Sequence, residues 1–171
     1  MTDAPQSHPL QPMLTEIGIA LDAGLAYLAI LQCLALPDVC GAMEALDGRT
    51  SASAYKRWYE KYLWHHFILL TPAECYSLRC GIVHQSRSEI VSDNYKRIVF
   101  FHDGWGAYEM SKMIDHEGTL GISIRHFCVH MNNAVHQWYA DMRSDPNVIR
   151  NIPDLLQPRE SDGVYGRMVL R

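Results

Sequence analysis

The stretch IGIALDAGLAYLAILQCLAL, residues 17–36, carries a single formal charge, Asp22, in twenty positions. An apolar run of that length has two uses, a membrane span or a helix buried in the middle of a bundle. A span or a secretion signal near the amino terminus is normally flanked by Lys or Arg, and the first basic residue here is Arg49. Asp22 and Gln32 inside the run also argue for protein surroundings. The run therefore predicts a buried helix from Thr15, its cap, to Leu36, ended by Pro37, which cannot continue the hydrogen bonding. Its apolar residues go nearly all round, so other helices are expected to surround it, in an all-α bundle of four to five helices. A chain of 171 residues, 48% of them hydrophobic, is long enough for one such core and buries roughly 70% of its unfolded surface.

The rest of the chain is punctuated clearly. Residues 1–12, with Pro5, Pro9 and Pro12, read as a flexible arm, and PDVCGAMEAL from Pro37 as a short second helix before the turn DGRTS. In the third segment, 52–70, Tyr55, Trp58, Tyr59, Tyr62 and Phe67 recur at helical intervals, as a core stripe or a platform for stacking bases. TPAE, 71–74, spells a capping box: Thr71 as cap, Pro72 in the first turn and Glu74 three residues after the cap. Residues 95–103, YKRIVFFHD, change to a strand-like pattern and DGWG follows as a turn, which predicts a short strand or a small β-hairpin as an ornament on the helical core. A last long helix is expected over Ser123 to Met142, where Phe127, Met131, Val135, Trp138 and Met142 recur at helical steps. Residues 144–171, with Pro146, Pro153 and Pro158, read as an irregular tail, which leaves 13–143 as the helical domain.

Charge is uneven. Residues 1–48 hold six acids and no Lys or Arg, whereas 49–97 hold eight bases against four acids, so a polyanion is expected to meet the middle of the chain. Lys56, Arg57, Lys61 and Arg87 are its candidate backbone contacts, or simply solvated helix faces. Five cysteines, an odd number without a CxxC pair, fit a reducing cytoplasm better than a disulfide framework.

Arg79 and His84, in SLRCGIVHQSR, combine two functions that RNA cleavage without a metal requires. Histidine titrates near neutral pH and exchanges a proton with the attacking or leaving oxygen; arginine stays charged and forks onto phosphate oxygens. The spacing alone is weak, because Arg97 with His102 and Arg125 with His130 repeat it. The Arg97 pair falls in the expected strand on opposite faces, and the Arg125 pair lies about 140° apart around an unbroken helix. For Arg79 and His84, the intervening Gly81 and the end of the helix pattern offer a way to converge. The structural alternative is a salt-bridged or solvated arginine and a histidine favoured by the helix C-terminus.

SLRCGIVHQ resembles the Arg-x4-6-His signature of the HEPN superfamily, and the order of helices over residues 13–143 is similar to that fold. The resemblance implies a helical bundle that forms a homodimer with motif helices facing each other. It also implies a metal-independent endoribonuclease, free of cofactors, of a defence or toxin–antitoxin system, with RNA as substrate and an antitoxin as partner. By that mapping Arg79 binds and polarises phosphate and His84 is the general acid or base, with Tyr76 and Gln85 beside them to order the pair or a substrate. At position 80 the family commonly has Asn, Asp or His, and this chain has Cys80. Members that have lost activity serve as dimerisation or interaction modules, which is the alternative reading. A third is a histidine metal site: His126 and His130 stand four apart on one helix, with His65, His66, His102, His116 and His136 as further donors.

Overall fold

The computed structural model describes residues 8–90, 92, 94–102, 112–114 and 118–156, and they are mostly helical. The helices are α1 (Gln11–Asp22), α2 (Ala26–Glu44), α3 (Ala52–Tyr62), α4 (Pro72–Gln85), α5 (Ile124–Met142) and α6 (Pro146–Asn151). Single 3-10 turns cover Trp64–His66 and Ile152–Asp154, and a small sheet holds β1 (Arg97–Phe101), β2 (Lys112–Ile114) and β3 (Thr119–Ser123). The apolar run does supply the central element: α2 packs against α1, α3, α4, α5 and α6. It is also long and apolar enough to cross a membrane, and in this fold more than half of it is buried in the bundle.

Its boundaries differ from those expected. The run is two helices, because Gly24 takes a left-handed φ of +72° and the amides of Gly24 and Leu25 turn back to the carbonyls of Leu21 and Ala20. Thr15 lies inside α1, and there is no separate second helix: α2 continues through Pro37 to Glu44. Proline removes the amide that would bond the Cys33 carbonyl and crowds that turn. The Tyr55 hydroxyl donates to the neighbouring Leu34 carbonyl at 3.2 Å, and Pro37 is itself buried. At the amino terminus, Leu10 is already buried and α1 opens at Gln11, so the packed chain starts within the segment read as an arm.

The aromatic stripe of α3 is core. Tyr55, Trp58, Tyr59 and Tyr62 are all at most 3% exposed, and hydrogen bonds offset the cost of burying their hydroxyls, Tyr59 to the Leu70 carbonyl and Tyr62 to Asp141. Helix α3 stops at Tyr62, short of the expected segment. On α5, capped by Ser123, Phe127, Met131, Val135 and Trp138 are fully buried, worth roughly 1.5–3 kcal/mol for each of the aliphatic and Phe side chains.

Two expectations are corrected. The expected strand is present as β1, and DGWG lies outside the described residues; among the described residues β1 pairs not in a hairpin but in parallel with β3, Arg97 opposite Thr119, and β2 pairs antiparallel on the other side of β3. The segment after Met142 is not irregular throughout, because Asp145 caps α6 by accepting from the amides of Asn147 and Val148. From α6, Asn147 donates to the Glu44 carbonyl, Arg150 to that of Leu46, and Asn151 to those of Ala42, Met43 and Ala45. The last turn of a helix leaves carbonyls without partners. Helix α6 supplies them for α2.

Candidate active site

Helix α4 is fixed at both ends. The Thr71 hydroxyl accepts from the Glu74 amide at 3.2 Å while the Glu74 carboxylate accepts from the Thr71 amide at 2.8 Å, the reciprocal capping box. Ser92 and Asn94 also donate to Glu74. At the other end Ser86 adopts φ +54°, its amide bonds the Ile82 carbonyl, and the Arg87 amide bonds that of Gly81. The chain thus reverses across Gly81, where an added Cβ would lie 2.9 Å from the Arg87 carbonyl oxygen. Gly81 does not break the helix; it makes room for the returning strand of chain.

On this unbroken helix Tyr76, Cys80 and His84 form a stripe at four-residue steps, with Arg79 beside it. The length of the arginine side chain, rather than a bend in the backbone, brings Arg79 Nη1 to 3.5 Å from His84 Nε2. Nη1 also lies 3.9 Å from Cys80 Sγ. On its other edge Arg79 Nε lies 2.6 Å from Oδ2 of Asp38, on α2. Arg79 and Asp38 are largely shielded, with side chains 20% and 12% exposed, whereas His84 is exposed. Burial works against the charge on Arg79, but Asp38 and the Cys80 thiol outweigh it and hold the guanidinium protonated more firmly than a free arginine.

Tyr76 is half-buried, packed edge-on against Tyr55 at 5.3 Å between ring centres, with Lys56 Nζ 5.4 Å from its centroid. Its bond with the Cys80 thiol, then burial, raises the pKa of the phenol. Of the residues proposed from sequence, the fold therefore gathers Lys56, Tyr76, Arg79 and His84 along one side of α4. Arg57, Gln85 and Arg87 are exposed, and among the described residues none is hydrogen-bonded or ion-paired to Arg79 or His84. Asp38 is the participant that sequence reasoning missed; a lone acid within an apolar run was the signal available. Cys80 is half-exposed and the other four cysteines are buried; burial pushes the Cys75 thiol up to about 12, far from a reactive thiolate.

The rival pairs separate. Arg97 Nε donates to Thr119, Arg125 pairs with Asp22 at 3.4 Å, and His102 and Arg125 line a shallow pocket of about 120 Å³ with Leu21, Ala26 and Ile124. The histidines form a row instead: ring centres lie 4.0 Å apart for His65 and His66, 4.0 Å for His66 and His130, and 4.3 Å for His126 and His130. His136 meets His8 edge-on elsewhere, and His116 lies outside the described residues. Among the described residues no three of His, Cys, Asp or Glu are placed to hold a metal ion. Searches of protein families, of curated proteins and of solved structures returned no match to this chain.

Proposed function

We propose that this chain is a HEPN-like RNA-binding protein of the defence or toxin–antitoxin kind that cleaves RNA without a metal through Arg79 and His84. The observation that supports the reading is the approach of Arg79 Nη1 to His84 Nε2, 3.5 Å, at the solvent end of α4. In the reaction the 2′-oxygen of a ribose attacks the adjacent phosphorus as its proton leaves. The bond from phosphorus to the 5′-oxygen of the next nucleotide breaks as that oxygen gains a proton. The products are a 2′,3′-cyclic phosphate and a 5′-hydroxyl, with no change of oxidation state. His84 carries one of the two proton transfers, and a second copy of the chain, its α4 facing the first, carries the other. The Arg79 guanidinium stabilises the charge building on the non-bridging oxygens, and Lys56, Arg57 and Arg87 hold the strand.

The test is to incubate the purified protein with mixed RNA in chelator beside Arg79→Ala and His84→Ala. Each substitution is expected to lower cleavage by about 10²–10⁴-fold, and the products to end in cyclic phosphate. Cleavage equal in all three proteins, or absent from all, rejects the catalytic reading.

A second reading has an observation of its own. Arg79 is already committed to Asp38 and Cys80, and Leu25, Tyr27, Leu28 and Val83 are exposed on α2, its preceding turn and α4. A catalytically inactive interaction module uses those apolar side chains and leaves RNA intact. Self-association by light scattering, with no cleavage in the RNA assay, supports it.

A further inference from the structure

We infer that Asp38 is a positioning residue for Arg79 and His84: its carboxylate takes the Nε edge of the guanidinium and leaves Nη1 turned toward the histidine. This deepens the reading of Arg79 and His84 as the working pair and rests on it. Asp38 sits on a helix whose buried residues are otherwise Ala, Ile, Leu, Cys, Met, Pro and Gly. A carboxylate in such surroundings is costly unless paired, and an apolar residue would pack there as well. The ion pair is therefore better explained by what it does to Arg79 than by stability.

A guanidinium presents two forked edges, and which one meets a phosphate depends on which is occupied. Here Nε stands in charge contact with Asp38 Oδ2 at 2.6 Å, without the alignment of a hydrogen bond, and Nη1 lies toward Cys80 and His84. Asp38 also sets the local charge. With the carboxylate present, His84 stands beside a charge-compensated guanidinium; without it, beside a bare cation. The 2.7 Å hydrogen bond between the Tyr27 and Ser86 hydroxyls joins the start of α2 to the end of α4, so both helices that hold the arrangement are tied together.

The experiment reads the Arg79 guanidinium by NMR in the full chain, which needs neither RNA nor activity. In the wild type its signals are expected to stand apart from those of the other arginines, with the two Nη groups resolved by slow rotation; Asp38→Asn is expected to average them and Asp38→Glu to keep them resolved. Signals equally resolved in Asp38→Asn overturn the proposal. If Asp38→Asn does not fold, the wild type decides: a guanidinium averaged with the rest overturns the assignment. Wild-type protein that cuts no RNA rejects the ribonuclease reading alone, because the guanidinium signals still report whether Asp38 orients Arg79.

Discussion

Asn151 is the residue through which the carboxyl-terminal segment acts on the core. Its side-chain amide nitrogen lies 3.3, 3.0 and 2.8 Å from the carbonyls of Ala42, Met43 and Ala45, at the open end of α2. Two hydrogens serve three acceptors, and Ala42 and Ala45 also accept from the amides of Ala45 and Gly48, so truncation removes about two bonds and leaves the buried Met43 carbonyl without a donor. At about 1 kcal/mol for each bond, with the penalty for an unsatisfied group on top, Asn151→Ala is expected to cost about 2–3 kcal/mol, or roughly 4–12 °C in melting temperature for a chain of this size. Asn151→Asp keeps the shape but turns donors into a carboxylate facing carbonyls at the negative end of a helix, and is expected to cost more than Asn151→Ala at pH 7. Its sign with pH is fixed. The folded state raises the pKa of the introduced carboxyl above its unfolded value of about 3.9, so the stability present below that value is lost as pH rises through the folded pKa. Urea unfolding at pH 7, 5 and 4 is the assay, and the gap to wild type should narrow on acidification. An Asn151→Ala protein within about 0.5 kcal/mol of wild type, or Asn151→Asp as stable as wild type at pH 7, refutes the claim that α6 caps α2.

Gly81→Ala would ordinarily gain helix propensity, about 1 kcal/mol, but the added Cβ meets the Arg87 carbonyl oxygen at 2.9 Å; a net loss of about 1–3 kcal/mol is expected, with faster exchange of the Arg87 amide, and a stabilised variant contradicts the chain reversal. Glu74→Gln should cost about 1 kcal/mol at pH 7 through the weakened capping box. Burial opposes the charge on Glu74, yet hydrogen bonds from Ser92, Thr71 and Asn94 hold its carboxyl below the usual range. That stability is present above the unfolded carboxylate value and is lost as pH falls through the folded one. The wild type and the variant should therefore converge in urea midpoint toward pH 3, and a gap independent of pH rules this out.

What the sequence made readable follows from how each element declares its phase. Helix α5 repeats its large apolar residues at three and four residue steps, and Thr71 with Glu74 announces a helix start chemically, so both stand where periodicity and capping put them. Helix α2 is apolar all round and has no phase to read, so its ends had to be judged from breakers, and both judgements erred. Gly24, inside the single helix expected over 15–36, ends one; Pro37, expected as a stop, is passed. The parallel pairing of β1 with β3, Arg97 opposite Thr119, depends on a partner 22 residues away, which a local pattern does not encode. Asp145 followed by Pro146 was a legible helix start, hidden by the three prolines that made the tail look irregular.

The error at Pro37 and the omission of Asp38 have one cause. Had a new helix begun at Pro37, Asp38 would have belonged to a solvated first turn, where acids are common and carry no message. Because α2 runs on, Asp38 falls one turn after Leu34, whose carbonyl takes the Tyr55 hydroxyl, and both are buried. The Tyr55 ring packs against Tyr76, which precedes Arg79 by one turn on α4. Tyr55, which bonds a carbonyl in the turn before Pro37, is thus one contact from the side of α4 that carries Arg79. A carboxylate delivered by the buried core, rather than by a surface loop, holds the guanidinium with little freedom. That makes the orientation of Arg79 a property of how α2, α3 and α4 pack, and explains why a motif confined to α4 describes only half of the arrangement.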